Sequence, residues 1–360
     1  MYKPIKRKIT DITHYPKVTV GIPVLNEESH IEKVVNGFLK AGYPNLVEVL
    51  IADGGSTDNT RKIVNTLSEK DKRVKLVHNP DKFQSFALNK MIDQAEGDIF
   101  LRADGHCMYQ DDYIEKSVEI LLKTKARNAG GAQRYVAETP IQAGIAIAVK
   151  SFLGNGGAKY MDEKYEGYAD TVFLGCFWTA DLREIEGFST KNRTNQDSEL
   201  NLRLAEVFGK SIYVSPEIKS WYYPRECYVR LFTQYFRYGR GRFLTKLLHP
   251  NSSPIRGLIP FLFICFLIVY GTADIISGSN YYFPEFVALL MLIVLIESLR
   301  VVIKTNVRFK KEIWKSESEP PGIFSKWIHV MVSVVIMQIG HFSGFLYQLV
   351  KKITVRNENW

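Results

Sequence analysis

The sequence has few cysteines, and they form no pattern. Cys107, Cys176, Cys227 and Cys265 are scattered over 360 residues, with no CxxC pair and one inside an apolar run. Such spacing supplies neither a zinc site nor a disulfide framework and favours a reducing compartment. The N-terminal stretch MYKPIKRKITDITHYPKVTV has no apolar h-region. A secretory signal peptide is therefore not expected, and the front of the chain should stay in the cytoplasm. No internal repeat or low-complexity tract is visible. There is no RNP, helix-turn-helix or zinc pattern either, so no nucleic-acid partner is expected. Acid is in deficit: 38 Asp and Glu against 47 Lys and Arg give a net charge of +9. That balance suits an anionic partner, and the apolar segments beside the basic ones make lipid the better reading.

What is present is unevenly distributed. Up to about Tyr228 the chain reads as a soluble globular protein, and after Ile255 it becomes runs of Leu, Ile, Val and Phe. In the first part, apolar β-branched runs at 17–24, 47–52, 74–77 and 99–103 predict strands. Residues at helical spacing (Ile31, Val34, Val35, Phe38; Ile63, Val64, Leu67; 85–95; Ile114, Val118, Leu121) predict the helices between and after them. Strict alternation predicts an α/β fold with a mostly parallel central sheet, in which ligands bind at the carboxyl ends of the strands. Pro23 to Glu27, Asp53 and Asp104 all fall there.

The tail holds three apolar segments, roughly 258–277, 283–303 and 328–350, each near the ~20 residues that cross a hydrocarbon core. A link without Lys or Arg joins the first two. The second link carries Lys304, Arg308, Lys310, Lys311, Lys315 and Lys326, which the positive-inside rule places in the cytoplasm. The third segment is read as spanning too, although Lys351, Lys352 and Arg356 would then lie outside, against that rule. The organisation expected is a domain over 1–228, an amphipathic basic and aromatic interface segment over 229–256, and a transmembrane region over 257–360.

Four stretches can carry chemistry. In Asp53-Gly-Gly-Ser-Thr-Asp58, an acid at a strand end can accept from the imide N–H of uracil while Gly54 lets the base approach; the same residues also make a plain turn with Asp58 as helix cap. In Arg102-Ala-Asp-Gly-His106, Asp104 and His106 point the same way in extended backbone and could hold Mn²⁺ or Mg²⁺ on a diphosphate. Equally, His106 could be a loop residue without a role. In Thr194-Asn-Gln-Asp-Ser-Glu199, Asp197 could be a general base, but its spacing favours an N-cap. Arg225, Arg237, Arg240 and Arg242, interleaved with aromatics, could clamp diphosphate oxygens or lie at a membrane surface.

With these motifs in order, the front of the chain resembles the family-2 glycosyltransferases of GT-A fold. The resemblance rests on Pro23-Val-Leu-Asn-Glu27, Asp53-Gly-Gly-Ser-Thr-Asp58, Asp104-Gly-His106, Gly187-Phe188 and Asn195-Gln-Asp197. Within that family the chain is most similar to ExoA-type exopolysaccharide glycosyltransferases, on Gly154-Asn-Gly-Gly-Ala158, Asp170-Thr-Val-Phe-Leu-Gly175, Tyr223-Pro-Arg225 and Gln234-Tyr-Phe-Arg-Tyr-Gly239. The resemblance implies nucleotide-sugar binding by Pro23, Asn26, Glu27, Asp53, Gly54 and Asp104, with Glu27 and Asp53 on ribose and uracil. It implies a divalent metal (Mn²⁺ or Mg²⁺) on Asp104 and His106, and Asp197 as the base, reversing the cap reading. Diphosphate or acceptor contacts would come from Asp170, Arg225, Gln234, Arg237 and Tyr238. Two residues depart from the family pattern: His106 stands for the second Asp of DxD, and Gln196 for the Glu beside the base.

The activity implied is metal-dependent, inverting transfer from a UDP-sugar to a hydroxyl of a polyprenyl-diphosphate-linked saccharide. The enzyme would be multi-pass in the inner membrane, with a cytoplasmic catalytic domain and membrane lipid as a partner. Two other enzymes are kept in view, a polyprenyl-phosphate glycosyltransferase and a processive synthase, the latter because Gln234-Tyr-Phe-Arg237-Tyr238 is close to Gln-x-x-Arg-Trp. The non-enzyme alternative is a membrane-surface nucleotide-sugar-binding protein on an inactive transferase fold.

Overall fold

A computed structural model describes residues 15–279 and 281–355; the expectations resting on residues 1–14 and on Arg356 lie outside them. Contacts divide the chain into two compact units, Met1–Arg134 with Asp162–Tyr222, and Tyr135–Met161 with Tyr223–Trp360.

The first unit begins with the expected alternation: β1 (Val18–Val24), α1 (Ile31–Lys40), β2 (Leu46–Asp53), α2 (Thr60–Lys70), β3 (Val74–His78), α3 (Gln84–Gln94) and β4 (Ile99–Arg102). Then follow β5 (Cys107–Tyr109), α4 (Tyr113–Thr124), β6 (Asn128–Gly131) and β7 (Gln133–Tyr135). Helices α5 (Pro140–Ala148) and α6 (Phe152–Asn155) belong to the second unit. The chain returns to the first with β8 (Gly167–Tyr168), β9 (Phe173–Trp178), α7 (Thr179–Glu184), α8 (Gln196–Phe208), β10 (Ile212–Val214) and β11 (Ser220–Tyr222). The second unit is completed by α9 (Tyr228–Leu248), α10 (Ile259–Ile276), α11 (Tyr282–Asn306), α12 (Phe309–Glu312) and α13 (Ile323–Val355).

Eight strands form the main sheet in the order β3-β2-β1-β4-β9-β6-β10-β8. The first four are mutually parallel, as is the pair β6–β10, while β9 runs antiparallel to both neighbours. β1 is buried along nearly its whole length because helices cover both faces, and its one polar side chain, Thr19, is buried with a hydrogen-bond partner. Glu48, buried in the middle of β2, accepts from Thr19 Oγ1 at 2.7 Å, Lys75 Nζ at 2.8 Å and Glu96 N at 2.7 Å, which compensates its desolvation. β5 and β11 pair antiparallel in a smaller sheet.

In the second unit, α10, α11 and α13 are each long and apolar enough to cross a membrane. α10 buries only Gly271 and Asp274, and α11 only Ser298, Val301 and Val302. α13, of 33 residues, buries one face against α5 and α9.

Candidate active site

Pro23, Asn26, Glu27, Asp53, Gly54, Asp104 and His106 lie at the carboxyl ends of β1, β2 and β4. Register sets them there: Val24 pairs with Asp53, and Gly54 N donates to Val24 O at 2.8 Å. A Cβ on Gly54 would stand 2.8 Å from Lys82 O, so only glycine admits that approach. The loop after β1 is then tied to the loop after β2. Asn26, at φ 57°, accepts from Thr57 N on Oδ1 (2.8 Å) and donates its own N–H to Ser56 Oγ (2.8 Å), and Glu27 N donates to Thr60 Oγ1 (2.8 Å). Pro23 is half-buried at the end of β1.

Asp53 is almost fully buried and spends its oxygens on its own turn. It accepts from Ser56 N (3.1 Å), Ser56 Oγ (2.5 Å) and Gly55 N (3.3 Å), with Arg61 Nε at 3.6 Å. Beside it opens a cavity of about 280 Å³ lined by Asp53, Arg61, His78, Asn79 and Lys82. A larger cavity of about 460 Å³ lies by Pro16, Asp98, Trp178 and Arg183 at the opposite strand ends and holds none of the expected residues. The smaller one sits where parallel sheets bind ligands.

Past β4, Asp104 Oδ1 faces Gln84 Nε2 and Arg102 Nη2, each at 3.4 Å. Arg102 is 4% exposed, and its other terminal nitrogen, Nη1, donates to Asp197 Oδ1. One guanidinium therefore bridges two acids 93 positions apart in sequence. Gln196 is buried and its Nε2 donates to Gln84 Oε1 at 2.5 Å, which leaves the Gln84 amide nitrogen for Asp104. With Gln196 and Asp197 adjacent in the chain, four side-chain contacts close a ring: Asp104, Gln84, Gln196, Asp197, Arg102 and back. Tyr109 Oη, whose ionisation burial pushes well up, accepts from Asp104 N at 2.7 Å and fixes the turn. Burial, with the charge of Asp104, also pushes the Cys107 thiol well up; all four cysteines are free.

The N-cap reading of Asp197 needs correcting. α8 starts at Gln196 with Asn195 in the cap position at φ 64°, so Asp197 lies inside the first turn, where a carboxylate still suits the helix dipole. Gly187-Phe188 packs under this loop: Asn89 holds Phe188 through N–H and carbonyl at 2.7 and 2.8 Å, and Gly187, at φ 64°, has no room for a Cβ beside Asn89 Oδ1. Asp170 is half-buried between β8 and β9. Arg225, Gln234, Arg237 and Tyr238 belong to the second unit, Arg225 before α9 and the others on it, with Gln234 Nε2 donating to Tyr238 Oη at 3.0 Å. Sequence reasoning gave no role to Gln84 or Arg102, although Arg102 stands two residues from Asp104; no spacing rule joins Gln84 to either acid.

Whether these residues suit a divalent cation can be judged from their donors. Among the described residues no three His, Cys, Asp or Glu side chains cluster as a metal cage. His106 Nδ1, however, lies 2.8 Å from Glu27 Oε1, the carboxylate–histidine arrangement that orients an imidazole toward a metal through its other nitrogen. Two protein ligands with the rest from phosphate oxygens and water are ordinary for Mg²⁺ and related cations, so Asp104 and His106 fit. The same contact places Glu27 on His106 in this structure, where a ribose contact was expected.

Comparison with known proteins follows the same lines. The family description "Glycosyl transferase family 2" matches residues 19–178. The succinoglycan biosynthesis protein ExoA of Rhizobium meliloti is 36% identical over 243 residues, 67% of this chain and 73% of that protein. A Methanococcus voltae dolichyl N-acetyl-α-D-glucosaminyl phosphate 3-β-D-2,3-diacetamido-2,3-dideoxy-β-D-glucuronosyltransferase is 29% identical over 298 residues, 80% of this chain and 88% of that protein. The solved mannosyltransferase PcManGT of Pyrobaculum calidifontis, in complex with GDP-Man and Mn²⁺, superposes with a TM-score of 0.54 at 16% identity, covering 96% of this chain and 89% of that one, a likeness of fold.

Proposed function

Because the chain belongs to the family-2 glycosyltransferases, we propose that it transfers a sugar from a UDP-sugar to a hydroxyl of a polyprenyl-diphosphate-linked saccharide, with inversion, during assembly of an exopolysaccharide or other surface glycan. The observation that carries this reading is the Arg102 bridge, which brings Asp104 and Asp197 into one site at the strand ends. Asp53 ends β2 and Asp104 follows β4, strands that stand two ladder spacings apart in the order β2-β1-β4, roughly 10 Å, which leaves room for a nucleotide between them.

In this reading the base and ribose lie over Asp53 and the loop of Asn26. Asp104 and His106 hold a divalent cation, which when bound neutralises charge on the diphosphate. Asp197, a third exposed, is reachable by an acceptor hydroxyl and takes its proton. The acceptor oxygen then attacks the anomeric carbon, and the bond to the diphosphate oxygen breaks with its electron pair, releasing UDP. One displacement from an α-linked donor gives a β-linked product, and no enzyme nucleophile is needed. A lipid-linked acceptor is supported by the membrane-competent second unit and by the dolichyl phosphate in the Methanococcus voltae relative's name. The cytoplasmic, multi-pass placement belongs to the same proposal.

A transfer assay on the full-length protein tests it, with UDP- and GDP-sugars, a polyprenyl-diphosphate-linked acceptor, and Mn²⁺ or Mg²⁺. We expect turnover with a UDP-sugar that chelation by EDTA abolishes and added Mn²⁺ restores. EDTA-insensitive turnover would remove the metal assignment, and a sugar–phosphate–lipid or long polymer product would select one of the other enzymes.

A further inference from the structure

We propose that α13, although long and apolar enough to cross a bilayer, lies along the membrane surface together with α9, and that only the α10–α11 hairpin crosses. Its partner is the surface of an anionic phospholipid bilayer.

The first ground is what runs beside it. Tyr228 Oη meets His329 Nδ1 at 2.5 Å near the start of α9, and Arg240 Nε donates to Gln348 Oε1 at 2.9 Å toward its end. Between them the backbones touch. A Cβ on Gly344 would lie 1.8 Å from Phe236 O, and one on Gly239 would lie 2.0 Å from His341 O. α9 and α13 therefore run side by side, and where one goes the other goes. Over that length α9 carries Arg230, Arg237, Arg240 and Arg242, with Arg230 and Arg237 exposed. Arginines are among the costliest residues to put at the centre of a bilayer, and here four would enter together.

The second ground is the midpoint of α13. Gln338 Nε2 donates to Leu153 O at 2.6 Å. Leu153 lies in α6, a helix of four residues that ends in a turn at Gly156 and Gly157, both at positive φ. Irregular backbone of this kind is not tolerated beside lipid at membrane depth.

The third ground is how α13 meets the hairpin. It reaches α10 in its first turn, where Phe261 stacks on Phe342 and Phe345 at 5.6 and 4.4 Å. At α11 the adjacent residues Lys326 and Trp327 bond to Asn306 and Leu295, eleven positions apart, so α13 crosses α11 instead of following it. Nothing in these contacts involves the hairpin's turn. They fall in the half of α11 away from that turn, from Leu295 to Asn306, and in the first turn of α10.

Two further features agree. The exposed apolar residues Phe324, Ile328, Ile339, Leu346, Val350 and Ile353 fall on one face, while Lys326, Ser333, Gly340, Gly344 and Gln348 are buried on the other. That stripe is about 43 Å long, more than the ~30 Å hydrocarbon thickness, and is the pattern of a helix lying in the interface. Sidedness also resolves: with α13 in the plane, Lys304, Lys310, Lys311 and Lys315 share one side of the membrane with Lys351 and Lys352, as the positive-inside rule requires.

Topology of the full-length protein tests this, using an epitope at the N-terminus, in the α10–α11 turn or at the C-terminus, probed from outside intact cells. We expect only the turn to be reached. A C-terminus reached from outside, or a turn that is not, would overturn the proposal. Depth is an independent check. Nitroxides on Ile328→Cys, Ile339→Cys and Leu346→Cys, in mixed phosphatidylcholine–phosphatidylserine vesicles, should report one shallow depth; Ile339→Cys lying far deeper than the other two would mean that α13 spans.

Discussion

Asp104 owes its aim to two neighbours that share one of its oxygens, Arg102 and Gln84. The Gln84 amide can serve it only because Gln196 donates to the other end of that amide. A Glu at 196, the usual residue of the family pattern, would face the Gln84 carbonyl oxygen without a proton to give. The departure noted in the sequence is thus matched by a partner 112 positions away. Gln84→Leu should lower turnover and Mn²⁺ affinity by about 10–100-fold, as loss of a residue orienting a metal ligand does, while the thermal midpoint moves little. Unchanged Mn²⁺ affinity would contradict the ring of contacts. Cys107 gives a second residue-scale test. Its thiol is held well above the usual range by burial, so the folded protein keeps it protonated. Thiol reagents at mildly alkaline pH should spare Cys107 and modify Cys227 first. The sign for stability follows, since a raised acid pKa means that stability falls as pH climbs past the unfolded thiol's value. The acids themselves were legible because each follows a strand or opens a helix. Gln84 was not, because hydrogen-bond partners drawn from distant loops leave no mark on periodicity.

Among the elements, the first four strands and the helices that join them were readable, since short runs rich in β-branched and aliphatic residues alternate with apolar residues at helical spacing. The short strands β5, β7, β8, β10 and β11 were not, because two or three residues carry no period. The three tail helices were found within a few residues of their ends, but which face of α13 is covered depends on α9 and α5, which composition cannot reveal. The close approach of α9 and α13 makes its own prediction. Gly344→Leu would drive a side chain into the Phe236 carbonyl and should destabilise the second unit by about 1–3 kcal/mol, the usual cost of overpacking. Limited proteolysis within α9 is the measurement, with faster cleavage expected in the variant and equal rates contradicting the packing.

For the whole molecule, charge and hydropathy are divided between the two units as the sequence divides them. The front carries the acids and the cavity, and the back carries apolar helices and most of the tail's cations. A site for a charged nucleotide-sugar held on a membrane-competent chain accounts for that division. The account's central claim is that Asp197 removes the acceptor's proton in a site it shares with Asp104. The most direct measurement compares Asp197→Asn with the parent protein, following UDP binding and sugar transfer in parallel. The account predicts UDP affinity within about twofold and transfer reduced by about 10²–10⁴-fold, the usual contribution of a general base. Transfer at the parent rate by Asp197→Asn would contradict it.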